Sequence, residues 1–258
     1  MAETAPTQRR DDTVHPDELV KVHRAETKTK TQPESKAQGP TLDQVKAEIH
    51  VKTYIRSANA QTGAIGYTEH GERHANTSAD GARFILKSLG HEPRRCEVGA
   101  VAAYLHDIGN VVTREKHGQT GALIAKDILE SLSFDVEEIA TIMGAIANHE
   151  EAEGGLPVSA VSAAVIIADK SDVHRSRVRN PKTTAFDIHD RVNYSVERSF
   201  LDVDPVTNTI TLNLTVDTKI SDMMEYFEIF MTRMLASVKA AKFLGTTFGL
   251  IVNETRLF

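Results

Sequence analysis

Apolar residues return at helical spacing through most of the chain. Leu42, Val45, Ile49 and Ile55 recur behind Thr41, a residue type suited to N-capping, so a first helix is expected there. A second helix is expected to open in the stretch His70–His74 and run to about Leu89. Ala75, Ala79, Ala82, Ile85, Leu86 and Leu89 form its stripe and Gly90 its stop. Val98 to Leu105 is an almost unbroken apolar run, read as a helix over 97–106 that ends at Gly109. Further helices are expected over 118–132, from Ser133 or Asp135 through Ile146, and over the apolar run Ala160 to Ala168, with Pro157 in its first turn. After Pro181 the pattern changes period. Segments 199–203 and 209–216 alternate or favour β-branched residues, with Asp204-Pro205-Val206-Thr207-Asn208 as turn chemistry between them. A long helix over 222–244, capped by Ser221 and stopped by Gly245, and a strand over 247–252 complete a β-β-α-β unit.

The first forty residues break from this pattern. Met1 to Pro40 is dense in Thr, Lys, Glu, Gln and Pro, and Leu19-Val20 with Val22 is its one apolar cluster. Such a segment cannot bury enough surface to offset its ordering entropy, so it is expected to be a disordered tail. The division that follows is 1–40 tail, 41–190 helical domain, 191–258 α+β subdomain, in a mainly α chain.

Composition adds few constraints. The 258 residues carry a net charge of −6 and one cysteine, Cys96. The charge argues against general nucleic-acid or membrane-surface binding, and one cysteine excludes an intramolecular disulfide and fits a cytoplasmic location. No apolar run reaches the length of a membrane span, and no secretory signal core is present. The Met and Phe stripe of the 222–244 segment is expected to be core or a homodimer contact.

The chemistry concentrates at the polar ends of the apolar segments. His106-Asp107 terminates the most apolar run, and imidazole nitrogen with carboxylate oxygen is a ligand set for divalent metals. His74 lies upstream; His117, His149 and Asp169 lie downstream, each opening or closing an apolar helix. His117 at a helix start is poorly placed for a positive charge and well placed for a neutral ligand. Asp169 leaves the core and needs a cation, which is either its neighbour Lys170 or a metal shared with His74, His106 and Asp107. Basic residues at 170, 174, 175, 177 and 179 follow at once, and arginine forks fit phosphate oxygens.

The ordered set His74, His106-Asp107, His117, His149, Asp169 resembles the six-ligand, two-metal variant of the HD superfamily of metal-dependent phosphohydrolases. The resemblance covers roughly residues 68–179. It implies an HD-type helical bundle holding two divalent ions (Mn, Fe, Mg, Zn, Ni or Co). Asp107 would bridge them, with His74, His106 and Asp169 on one ion and His117 and His149 on the other. The implied reaction is hydrolysis of a phosphate ester, of a nucleotide or a related small molecule, by a metal-bridging hydroxide. Lys170 and Arg175 would offset charge on the phosphate. His70-x-x-x-His74-Ala75 also resembles the opening of the cyclic-nucleotide phosphodiesterase motif of the same superfamily, which implies His70 as general acid; support for Glu69 or Glu72 is the other reading of His70. Asn110 departs from the Lys of a cyclic-dinucleotide phosphodiesterase branch. Two alternatives use the same residues: a di-iron oxygenase of the same fold, and a non-catalytic nucleotide-sensing module.

Overall fold

The computed structural model describes residues 39–180, 182 and 186–258. The expected tail lies outside these residues except for Gly39 and Pro40. The chain begins with α1 (Leu42–Ala47), which Thr41 opens with a capping box shared with Gln44. The single helix expected from Leu42 to Ile55 is two. Glu48 takes an extended backbone, and its carboxylate accepts from His50 N to open α2 (Ile49–Ala64). The break resets the helical phase. Ile49 is left 65% exposed, and the buried stripe becomes Val51, Ile55, Ala58 and Thr62. The helix runs on through the small residues up to Ala64.

Four helices build the centre: α3 (Glu72–Ser88), α4 (Pro93–Leu105), α6 (Val136–Ala147) and α7 (Ala160–Ser171). Both α4 and α7 are buried nearly all round, from Val98 to Leu105 and from Val161 to Lys170. This is why their sequences show apolar runs rather than stripes. Helix α5 (His117–Ser131) packs against α6, and a 3-10 turn over Ile108–Val111 joins α4 to the loop before it. Asp135, not Ser133, caps α6, and Ser133 takes φ +61 in the turn before it. Ser159 caps α7, so Pro157 stays in the preceding loop.

The C-terminal unit has the expected order with two additions. Helix α8 (Ile188–Ser195) precedes β1 (Val196–Asp204), and a two-residue β4 (Thr255–Arg256) closes the sheet. The boundary expected after residue 190 therefore falls inside α8. Strand β1 pairs antiparallel with β2 (Thr209–Val216), with Val203 opposite Ile210. Strand β2 pairs parallel with β3 (Thr247–Val252), Ile210 opposite Phe248, so the connection between them must cross over. That crossover is α9 (Met223–Phe243), capped by Asp222 rather than Ser221. Ile210, Leu212, Leu214 and Val216 alternate inward along β2. Helix α9 lies against α7 as well as against β3, and β1 touches α3 and α7, so the sheet and the bundle share one apolar core. Phe230 and Met234 of the expected stripe are buried in it beside Tyr226, while Met231 and Leu235 are exposed. Among the described residues no helix is long and apolar enough to cross a membrane.

Candidate metal centre

The six candidate ligands come from five separate places in the chain and converge. His74 sits in the first turn of α3, and His106-Asp107 follow the last turn of α4. His117 opens α5, His149 follows α6, and Asp169 lies in the last turn of α7. All six are buried. Gly109 makes the approach possible. A Cβ there would stand 1.9 Å from the carbonyl oxygen of His117 and 2.5 Å from the backbone nitrogen of Gly121. Only glycine lets the chain pass so close to the start of α5.

Asp107 divides the cluster in two. Its Oδ2 lies 3.6 Å from His74 Nε2 and 3.4 Å from His106 Nε2. Its Oδ1 lies 3.2 Å from His117 Nε2 and 3.9 Å from His149 Nε2. Asp169 Oδ1 joins the first pair, 3.3 Å from His74 and 3.6 Å from His106. Within each pair the imidazoles meet nitrogen to nitrogen: His74 Nε2 to His106 Nε2 at 3.2 Å, His117 Nε2 to His149 Nε2 at 3.0 Å.

The far nitrogens decide what these contacts mean. Nδ1 of His106, His117 and His149 donates to the carbonyls of Ala103, Arg114 and Ile146 at 2.6, 2.9 and 2.7 Å. His74 Nδ1 donates to the Asp172 carboxylate at 2.6 Å. Carbonyl oxygens only accept, so each Nδ1 carries a proton, and a ring without a second proton presents a bare lone pair at Nε2. Two lone pairs facing each other at about 3 Å repel unless a proton or a cation lies between them. Fixing the outer nitrogen in this way is how proteins prepare imidazoles for metal. The donor set is nitrogen and carboxylate oxygen, buried and converging, and it fits divalent metal ions.

The electrostatics agree with that reading. Burial opposes a charge on His106, but Asp107 and Asp169 outweigh it and push its pKa up to about 9. Burial also opposes charge on both carboxylates, yet His106 beside Asp107, and Lys170 beside Asp169, hold them well below the usual range. Burial and the positive neighbours His106, His117 and Lys170 pull His149 down to about 3. Acceptors that stay ionised and one imidazole that retains a proton are what a cation-seeking cluster holds in place of its cation.

The remaining sequence candidates take other positions. His70 is not in the helix with His74. It lies in the loop before α3, whose N-cap is Gly71, because its backbone N–H donates to Asn59 Oδ1. Its ring still reaches the site, 5.6 Å centre to centre from that of His74. Its Nδ1 donates to Thr68 O at 2.7 Å, and burial followed by the charge of Arg177 draws its pKa well down. Lys170 is 2% exposed and held by Asp169 at 2.7 Å and Glu151 at 2.9 Å, with Glu150 at 3.9 Å. Those partners leave it no open approach to a phosphate. Arg175 pairs with Glu197 at 3.0 Å and lies over the Tyr194 ring, so its partners are not at the donor cluster. The other cations expected beside it are also engaged. Arg177 donates to the carbonyls of Glu69 and Asp172, and Arg179 to those of Tyr67, Asn59 and Thr68. Their spacing suggested a patch for phosphate, but buried Arg177 and exposed Arg179 both give their donors to backbone carbonyls instead.

Asp172, Arg73 and Glu150 have no assigned role in the sequence, where Arg114 reads as a loop cation, either solvated or facing a phosphate. Asp172 accepts from His74, and Arg73 grips it with two nitrogens at 3.1 and 2.8 Å. Arg114 places Nη1 3.1 Å from His117 Nε2 and Nη2 3.1 Å from Glu150 Oε2. Glu150 comes into ligand range of His117 and His149. An aspartate three residues after a ligand, or a glutamate next to one, carries no pattern that separates it from a surface charge.

Comparison with known proteins gives this part of the chain a class. Residues 72–174 match the family model of the HD domain. The match runs from the first residue of α3 to just past Asp172 and includes every candidate ligand, so this stretch is similar to HD domains. A curated relative, an uncharacterized protein from Methanocaldococcus jannaschii, is 33% identical over 171 residues, or 57% of this chain. This chain spans 65% of that relative's length. A solved structure of a predicted HD superfamily hydrolase from an uncultured Thermotogales bacterium is 23% identical, with a TM-score of 0.39. That alignment covers 48% of this chain and 67% of the other.

Proposed function

We propose that the protein is a metal-dependent hydrolase of a small phosphoester, in which Asp107 would serve two ligand sets that could each hold a divalent ion. The observation that carries this reading is the division of Asp107, Oδ2 toward His74 and His106, Oδ1 toward His117 and His149. A single carboxylate facing two imidazole pairs is suited to two cations better than to one. His74, His106, Asp107 and Asp169 would hold the first ion. Asp107, His117 and His149 would hold the second, with Glu150 in reach. When bound, such a pair supplies Lewis acidity and lowers the pKa of a coordinated water.

The chain's own groups do the rest. Asp172, gripped by Arg73, sets the orientation and tautomer of His74. Lys170 holds Asp169 and keeps it ionised, which makes it a positioning residue. Arg114, over the Tyr67 ring and near Asp107, is a cation at the second half of the site and is placed to meet an anionic substrate. His70 presents an unprotonated Nε2 beside the cluster. A phosphoester anion arriving there would raise its proton affinity, so that it can hold and pass a proton to the leaving oxygen.

The test is release of phosphate or alcohol from a panel of nucleotides and simple phosphoesters by the purified protein loaded with Mn, Fe, Co, Ni, Zn or Mg. Turnover that disappears, with the metal, in Asp107→Ala is expected. Metal binding with no hydrolysis of any phosphoester would overturn the reading. Oxygen uptake by the iron-loaded protein, without phosphate release, would replace it with dioxygen activation.

A further inference from the structure

A cavity of about 300 Å³ lies between the loop leading to α3, helix α8 and helix α9. Its walls include Tyr67, His70, Arg177, Asn193, Phe230 and Arg233. His70 is the wall that adjoins the metal centre, through its ring contact with His74. The opposite wall comes from the C-terminal unit, which therefore does more than extend the core.

Arg233 is the unusual member of this lining. The arginines around it have carboxylate partners: Arg73 with Asp172, Arg114 with Glu150, Arg175 with Glu197, Arg191 with Glu225. Arg177 gives its guanidinium to two carbonyls. Among the described residues the Arg233 side chain has no hydrogen bond and no ion pair. Its contact is the Phe230 ring, 5.0 Å from the guanidinium carbon. The one carboxylate in the cavity wall, Asp187, already accepts from Asp190 N as the cap of α8. Arg233 also acts as an unfavourable positive charge on Lys170 and Arg177. A half-buried cation near like charges, with no carboxylate in ion-pair range among the described residues, is left without a charge partner in the cavity. An anion entering the cavity would supply that partner and gain a planar donor fork matched to phosphate oxygens.

We infer that Arg233 is a substrate-binding residue, donated by α9, that holds the phosphate oxygens of a phosphoester in the cavity beside His70. The inference rests on the proposed phosphoester hydrolase and adds to it the residue that binds the anion and the part of the chain that supplies it. In this arrangement the α+β unit completes the site of the helical domain. Arg233 takes the role for which sequence pointed to Lys170 and Arg175.

The experiment uses the full chain and inorganic phosphate as probe, titrated calorimetrically into chelator-treated and Mn-loaded protein. The variants are Arg233→Ala and Arg233→Lys, with Lys242→Ala at the exposed end of α9 as the charge control. Metal content and melting temperature are measured for each. Arg233→Ala is expected to weaken phosphate binding about tenfold or more in both forms, the size of a lost charge-assisted contact. Its metal content should be that of the wild type, Arg233→Lys should recover part of the affinity, and Lys242→Ala should bind as the wild type does. Wild-type phosphate affinity in a folded Arg233→Ala or Arg233→Lys would overturn the inference while leaving the hydrolase reading intact. Phosphate binding that depends on Arg233, in a metal-loaded protein that cleaves no phosphoester, would keep the inference and remove the hydrolase. A wild type that binds no phosphate would overturn the inference outright.

Discussion

Replacing Asp172 with asparagine tests whether the metal centre depends on a residue that never touches the metal. Asp172 is 4% exposed, accepts from His74 Nδ1, takes two nitrogens from Arg73 and lies 3.7 Å from Arg177 Nη1. Asparagine keeps the shape but removes the charge, and can set an N–H donor against the Nδ1–H of His74. Arg177, 2% exposed, then loses its main counter-charge. Breaking a buried ion pair costs about 3–5 kcal/mol. Arg73 is partly exposed and retains Glu69, so the low end, about 3 kcal/mol, is the better figure here. For a chain of this size that is about 6–12 °C in melting temperature. Freeing His74 to rotate should weaken metal binding by about 10–100-fold. Arg73, Arg177 and His74 hold the Asp172 carboxyl well below its usual range against the opposing effect of burial. A depressed carboxylate stabilises the fold above its unfolded pKa of about 3.9, and that contribution is lost as pH falls through the folded value. The difference between variant and wild type should therefore shrink below about pH 4. Thermal melts in chelator from pH 3 to 8, with competitive metal titration at pH 7.5, measure both effects. A variant with unchanged melting temperature and unchanged metal affinity would refute the role given to Asp172.

Two further outcomes are expected. Gly109→Ala should lose about 3 kcal/mol or more and most of its metal, because the new methyl meets backbone rather than a movable side chain; melting and metal content at wild-type values would contradict the close approach of the 108–111 turn to α5. His106, with its pKa pushed up to about 9, stabilises the metal-free protein fully below its unfolded pKa of about 6.5, and that contribution is lost as pH rises through about 9. Metal must displace that proton, so apparent affinity should climb about tenfold per pH unit up to about pH 9; calorimetry at pH 7.5 in buffers of different ionisation enthalpy should show close to one proton released, and none released would dismiss the protonated pair.

Most helices and the convergence of the six candidate ligands were legible because both leave a periodic or ordered trace. Apolar runs at α4 and α7 announce buried helices, and histidines or acids at the polar ends of such helices announce a shared centre. The break at Glu48 was not legible. Ile49 continues the apolar spacing of α1 in the sequence, but one extended residue changes which face it occupies. Helix α8 was missed for a related reason, since it is short and polar except for Ile188 and Val192.

The sequence by itself determined the class of the bundle, the order β-β-α-β, and the donor atoms that could bind a cation, because these follow from residue type and spacing along one chain. Tertiary structure alone decided which charges are already neutralised. Lys170, Arg175, Arg177 and Arg179 look equivalent to Arg233 in one dimension, and partners that commit these charges include ones 19 to 112 residues away. The same long-range packing set Asp172 behind His74 and carried α9 across to α7. Electrostatic partnership depends on distance and burial in space, and the linear pattern records neither.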